Sequence, residues 1–233
     1  MDRITRHDLK HDQFVEQVGH IVEEVEAHRS QVIRYAVVAI AAIAIAAGAY
    51  WFIQSRSETR SADLGKALRV WDANIGGTSG EFIFATPAEK DAAVSKALAD
   101  VVAKHSGSKE AGAAQYLMGI KACDAGKLDD AERNFKQAVE DGGAEYGSLA
   151  KLALADIYAA RSKTADAEKL LKELIEKPTV LVSKDQATIA LAKLYLKDRP
   201  ADARKLLEPL KSQSNAVGRI AGSLMAESLQ STK

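Results

Sequence analysis

Cysteine is all but missing. Cys123 is the only one in 233 residues, so no disulfide can form within the chain and the redox compartment is left open. Proline is rare, at four residues, and aromatics make up 6%. Against plentiful Ala, Leu, Lys, Glu and Asp, that scarcity points to helices rather than sheet. Net charge is absent as well: 32 basic residues cancel 32 acidic ones. Overall charge therefore suggests no polyanionic or membrane-surface partner and disfavours nucleic acid. The sequence holds no glycine-rich phosphate loop, paired metal-ligand motif, nucleophile elbow or Rossmann fingerprint. An enzyme is not expected, nor is a cofactor. The chemistry to look for is recognition.

What the chain does have is one long apolar run. Tyr35 to Ile53, YAVVAIAAIAIAAGAYWFI, contains no charged side chain and is fenced by Arg34 and Arg56. As a helix it spans ~28 Å, close to the ~30 Å hydrocarbon core of a bilayer, and is read as one transmembrane helix over 35–53. Two other readings compete with it. A helix buried in a soluble protein usually keeps a polar stripe, whereas this one is apolar all round. A cleaved signal is suggested by Ala44-Ile45-Ala46 and Ala47-Gly48-Ala49, but signals begin with a short basic region. Here seven acids come first: Asp2, Asp8, Asp12, Glu16, Glu23, Glu24 and Glu26. Tyr35 at one end and Tyr50 and Trp51 at the other sit where amphipathic rings favour the two interfaces. Ala42 with Ala46, and Ala44 with Gly48, repeat the spacing that lets a second helix approach closely. In so alanine-rich a segment that spacing also arises by chance.

Residues 1–34 form an arm before the crossing. Phe14, Val18, Ile21 and Val25, with Val15 and Val22, draw an apolar stripe on an amphipathic helix. Its polar face is too acidic to be drawn to anionic lipid, so helix pairing is preferred over lying on the bilayer; self-association into a homo-oligomer through this stripe competes with a short solvated helix resting on another element. His7, His11, His20 and His28 also lie here. His7 and His11 sit one turn apart beside Asp8 and Asp12, but no third fixed ligand accompanies them, so a solvated face is expected rather than a metal site.

Residues 54–108 continue in helical style, with Leu64, Leu68 and Trp71 on one side. Asn74 to Gly80 breaks the helix, since three glycines in five positions cost it too much backbone entropy. Glu81 to Thr86 reads as loop. Thr86 as cap and Pro87 in the first turn then predict a helix over Ala88–His105, with Val94, Leu98 and Val101 facing the core. Ser106-Gly107-Ser108 closes it.

From Lys109 the chain is periodic. Segments starting at Gly112, Ser148 and Asp185 each read as helix, tight polar turn and helix, offset by 36 and then 37 residues. Such a period marks stacked helical hairpins. Gly119, Ala122, Gly126, Ala131, Phe135 and Ala138 match the small and aromatic positions of the tetratricopeptide pattern. Ala155, Tyr158, Ala167 and Leu171 repeat it, as do Ala192, Tyr195, Ala203 and Leu207. Helices that cross closely need small side chains at the crossing, with larger ones filling the space between. Ala122 in place of Tyr, and Leu174 and Leu210 in place of a small residue, are departures from the pattern. Pro178 to Val182 is expected to be an extended linker, Pro209 to kink or end its helix, and Asn215 to Leu229 to cap the array. The fold class is thus all-α: amphipathic helix, transmembrane helix, then an α-solenoid of divergent hairpins over 109–233.

The layout, together with the runs ETRSADLGKALRVWDA and AEKDAAVSKALADVVAKHSGSKEAGAAQYLMG, resembles the bacterial YfgM-like family, the ancillary subunit of the Sec translocon. The arm is longer than that family leads one to expect. The resemblance implies a single-pass inner-membrane protein with a cytoplasmic N-terminus and a periplasmic C-terminal domain. Its partners would be the translocon and periplasmic folding factors, and its task handling exported proteins. Charge does not fix the orientation, because Arg29 and Arg34 precede the crossing as closely as Arg56 and Arg60 follow it. Tetratricopeptide geometry would line the concave face with Tyr116, Ile120, Cys123, Leu152, Asp156, Ile189, Lys193 and Leu196. These form either a groove for an apolar segment or a surface covered by flanking helices. A structural subunit of an envelope or cell-division assembly, oligomerising through arm and crossing, is the competing function.

Overall fold

A computed structural model describes residues 29–76 and 82–230. The apolar stripe of the arm, its four histidines and the last three residues lie outside them. The chain divides after Glu58 into two compact units. Of the first unit, the described part belongs to α1 (Arg29–Asp72), an unbroken helix. No proline interrupts it, and alanine, the best helix former, dominates its apolar part. In its apolar run the large side chains Tyr35, Ile45 and Trp51 are bare, at 74%, 73% and 73% exposed. The core helix of a soluble protein is mostly buried, and none of this apolar window is. This helix is long and apolar enough to cross a membrane.

The second unit starts at Thr59 and, among the described residues, is built from the last turns of α1 and eight further helices. These are α2 (Pro87–Lys104), α3 (Lys109–Asp124), α4 (Leu128–Asp141) and α5 (Gly143–Ala160), then α6 (Thr164–Glu176), α7 (Lys184–Tyr195), α8 (Pro200–Lys211) and α9 (Ala216–Gln230). From α2 onward each helix packs against the next, and α3 also meets α5, as α9 meets α7. Helix starts follow side-chain chemistry. Thr86 Oγ1 accepts from Glu89 N at 3.2 Å while the Glu89 carboxylate accepts from Ala85 N at 3.0 Å, a reciprocal cap that satisfies otherwise orphaned donors. Ser108, Ser183 and Asn215 cap α3, α7 and α9 in one direction only, their side-chain oxygens accepting from Ala111 N, Gln186 N and Gly218 N.

The pattern of small residues does what packing requires of it. A methyl added to Gly119 would lie 2.5 Å from the Phe135 ring, so the absence of a side chain there is what lets α3 and α4 close on a fully buried aromatic. Ala155 and Leu171 repeat this pairing in α5 and α6, and Ala192 and Leu207 in α7 and α8, all with at most 3% exposure. Turn geometry recurs too. Gly126 ends the first hairpin's turn with φ 70°, and Ser162 holds the matching place in the second at φ 59°, a left-handed conformation that only glycine adopts without strain.

Two sequence expectations are altered. Pro178 to Val182 is a compact turn rather than an extended linker. Thr179 N donates to Val182 O at 2.9 Å, and Val182 N donates to Thr179 Oγ1 at 3.1 Å. The Thr179 and Ser148 hydroxyls meet at 2.8 Å, and the Val182 side chain is fully buried. These tertiary partners outweigh the local preference of β-branched residues for extended backbone. The loop before Thr86 holds one short parallel bridge, Ile75 to Phe84, closed by Gly76 N donating to Phe84 O at 3.0 Å. Pro209 sits inside α8, which ends at Lys211, as expected of a residue without an amide donor.

Candidate functional site

A groove of about 640 Å³ opens between α5, α7 and α9, within the ~300–1,000 Å³ usual for ligand sites. Alanines keep it open: Ala155, Ala159 and Ala190 line it with methyls only. Leu152, Ile189 and Leu194 contribute larger apolar walls, and α9 closes one side with Val217 and Ile220. Polar groups are few. Asp156 on α5 and Lys193 on α7 border the groove, with Ser183 and Gln186 at the start of α7. The apolar surroundings push the Asp156 carboxyl above the usual carboxylate range, and the Lys193 ammonium opposes that shift without cancelling it.

Four of the eight residues read from the sequence as a concave face are therefore brought together: Leu152, Asp156, Ile189 and Lys193. Ile189 is 9% exposed and belongs to the core as well as to the wall. The other four lie elsewhere. Tyr116 packs against Phe135 and Tyr146, ring centroids 5.7 and 5.9 Å away, and Ile120 and Cys123 pack on the same cluster. Burial first, then Asp124 and Asp156, pushes the Cys123 thiol up, which leaves it little thiolate for chemistry. Leu196 packs against the cluster shared by α5 to α9. Sequence reasoning missed Val217 and Ile220. Their apolar spacing marks an amphipathic last helix beside the preceding hairpin, a pattern that fits a cap as well as a groove wall. Of the anchoring set, Tyr35, Ala42, Ala46, Gly48, Tyr50 and Trp51 are all exposed on α1. Among the described residues no group of three His, Cys, Asp or Glu is placed to hold a metal.

Successive hairpins are fastened by a repeated charge network. Glu132 on α4 meets Lys136 at 2.7 Å and Arg161 of the next hairpin's turn at 2.5 Å. Glu168 on α6 meets Lys172 at 2.6 Å and Arg199 at 3.0 Å, and the Arg199 guanidinium lies 4.0 Å over the Tyr195 ring. The Lys136 hydrogen bond holds the Glu132 carboxyl below its usual 4.5, and Lys172, then Tyr195, do the same for Glu168. Lys151 similarly lowers Glu173. A carboxyl depressed by folding adds stability above its ordinary value and loses it as pH falls through the folded one. Denaturant midpoints should therefore stay high from neutrality to about pH 5 and drop below it, and Glu132→Gln with Glu168→Gln should flatten that drop. Asp156 has the opposite sign, because its raised carboxyl sheds an unfavourable charge as pH falls. An unchanged drop in the double variant would show that these two carboxylates do not carry it.

Helical hairpins crossing at small residues and fastened end to end define a class of repeat protein that works by binding other proteins. Within that class, the chain belongs to the tetratricopeptide repeat-like domain family, whose match covers residues 28–186. That family is one of interaction scaffolds rather than catalysts. No curated protein and no solved structure matches the chain. The match ends inside α7, so the third hairpin and α9 extend the repeat region beyond it.

Proposed function

We propose that this protein is a membrane-tethered interaction scaffold. In this reading Tyr35–Ile53 crosses the bacterial inner membrane once, the N-terminus is cytoplasmic, and the repeats work in the periplasm beside the Sec translocon and folding factors. The observation that carries the recognition role is the groove in which Leu152, Asp156, Ile189 and Lys193 meet on the first helices of consecutive hairpins. Support for the tether is the bare apolar surface of α1, which water would not tolerate over such a length. The location beside the translocon rests on the resemblance to the YfgM-like family.

Ala190→Trp tests the groove, because an indole there fills the space without removing a core contact. Partner proteins copurifying from gently solubilised membranes should be lost while the unfolding midpoint is kept. Partners retained by a folded variant would remove the groove from the account. If the wild-type protein brought down only itself and envelope-assembly proteins, the structural-subunit function would replace this one.

A further inference from the structure

Helices that alternate in direction put their connections on two edges. In the second unit the turns that lead from one hairpin to the next share one edge, and contacts run along it without a break. Asp63 Oδ2 lies 2.8 Å from His105 Nε2, and Ser61 Oγ donates to the Glu110 carboxylate at 3.2 Å. The Lys109 stem passes beside Gly143, the Ser148 and Thr179 hydroxyls meet at 2.8 Å, and the Gln213 amide donates to Asp185 at 3.1 Å. Most turns on this edge use residues that suit water: Ser106-Gly107-Ser108, Gly142-Gly143 and Ser212-Gln213-Ser214-Asn215. The turn after α6 departs from them with Val180 and Leu181, 92% and 41% exposed. Val180 is barer than Tyr35 or Trp51 in the apolar run. Looseness does not explain it, because the Thr179–Val182 hydrogen bonds and the buried Val182 side chain hold the turn and present the other two outward. Turns on the opposite edge carry Lys127, Arg161, Lys163, Lys197 and Arg199 instead.

The chain itself says what covers this tip. Thr59, where the unit begins, follows Ile53 by six residues. Even a fully extended connection would leave it within about 20 Å of the end of the apolar run. A tip tethered so closely needs little affinity of its own, because the tether supplies a high effective concentration of lipid. Charge does not draw it, since Lys177 and Lys184 flank the tip but Glu176 and Asp185 stand beside them. Given that Tyr35–Ile53 crosses the bilayer, we infer that this edge of the repeats rests on the lipid surface, with Val180 and Leu181 entering the headgroup region. The Lys177 and Lys184 stems lie along that boundary and keep their ammonium groups in water. The repeats then meet their partners at the bilayer surface rather than in open solution.

The test uses the full-length protein carrying Cys123→Ala, in nanodiscs of phosphatidylcholine or of phosphatidylethanolamine with phosphatidylglycerol. A nitroxide is attached through Val180→Cys, Lys184→Cys or, on the opposite edge, Lys197→Cys. Its accessibility to oxygen, which concentrates in lipid, is compared with that to a water-soluble nickel complex. The inference predicts lipid-like accessibility at 180, partial shielding from nickel at 184 and open water at 197. Both lipid compositions should give the same result, because the flanking charges balance. Val180→Asp should abolish the shielding at 184 and leave the melting midpoint unchanged, since the side chain it replaces is almost fully exposed. Equal nickel accessibility at 180 and 197 would overturn the inference, as would shielding at 184 that survives Val180→Asp. Shielding found only in discs made from whole native membranes would assign the tip to a protein and overturn the lipid assignment. A protein that fails to elute with the discs at all would remove the crossing, and the inference with it.

Discussion

Phe135→Ala should destabilise the repeat unit by about 3–5 kcal/mol, the range for deleting a buried aromatic ring. The ring is fully buried, is packed against Gly119 of the facing helix, and has Tyr116 5.7 Å away. Little at the helix crossing itself can fill the hole: Gly119 has no side chain, and Ala122, Ala131 and Ala138 have only methyls, while the larger Leu154 and Ile157 complete the cluster. The cavity term therefore adds to the transfer term instead of being relaxed away. Urea unfolding of the full-length protein in detergent, followed by helical circular dichroism, measures the loss. Leu171→Ala, at the same place in the next hairpin, should lose about 2–5 kcal/mol. A loss below about 1 kcal/mol for Phe135→Ala would mean that the first hairpin's core is not the one described.

The largest effect on localisation should come from two arginines placed in the apolar run. Ile43→Arg with Ile45→Arg puts two charges near the middle of Tyr35–Ile53, each costing about 2.5–3.5 kcal/mol on insertion scales. Both side chains are exposed, Ile43 at 68% and Ile45 at 73%, so within the chain itself the replacements disturb no packing. That separation is what makes the pair informative. If α1 lies in a bilayer, the variant should leave the alkaline-resistant membrane fraction or be degraded, whereas the repeat region keeps its own melting behaviour. An unchanged membrane fraction would contradict a crossing at this position.

The repeats were legible because their constraint is local and recurrent. Close helix crossing demands a small residue opposite a large one, so Gly119 and Phe135, Ala155 and Leu171, and Ala192 and Leu207 announce themselves by size and spacing. The turn at Pro178–Val182 was not legible, because its conformation is set by a hydroxyl contact to Ser148, 31 residues away in sequence. Local β-branched character pointed the other way. The groove was half legible. Counting positions along each first helix assumes that all hairpins present the same face, and that holds for α5 and α7, where Leu152, Asp156, Ile189 and Lys193 meet. It fails for α3, where Tyr146 from the start of α5 packs on Tyr116 at 5.9 Å and draws that side chain into the core. The contribution of α9 needed the three-dimensional arrangement, since nothing in its own pattern tells a capping helix from one that also forms a wall.

These distinctions bear on how function should be probed. Ile189→Asp would bury a charge in the core as well as alter the groove, so lost binding in that variant would not separate recognition from folding. Asp156 and Lys193 change the groove while leaving the buried clusters alone, and Ala190 adjoins one without belonging to it.

The central claim, that partners are held in this groove, is met most directly by photocrosslinking in living cells. A photoreactive side chain replacing Lys193 reports from the groove, and the same group replacing Lys205, whose side chain is 81% exposed on α8, reports from outside it. The account predicts adducts with other proteins from position 193, suppressed by Ala190→Trp, and few from position 205. Equal adducts from both positions, or adducts from 193 that persist with Ala190→Trp, would contradict it.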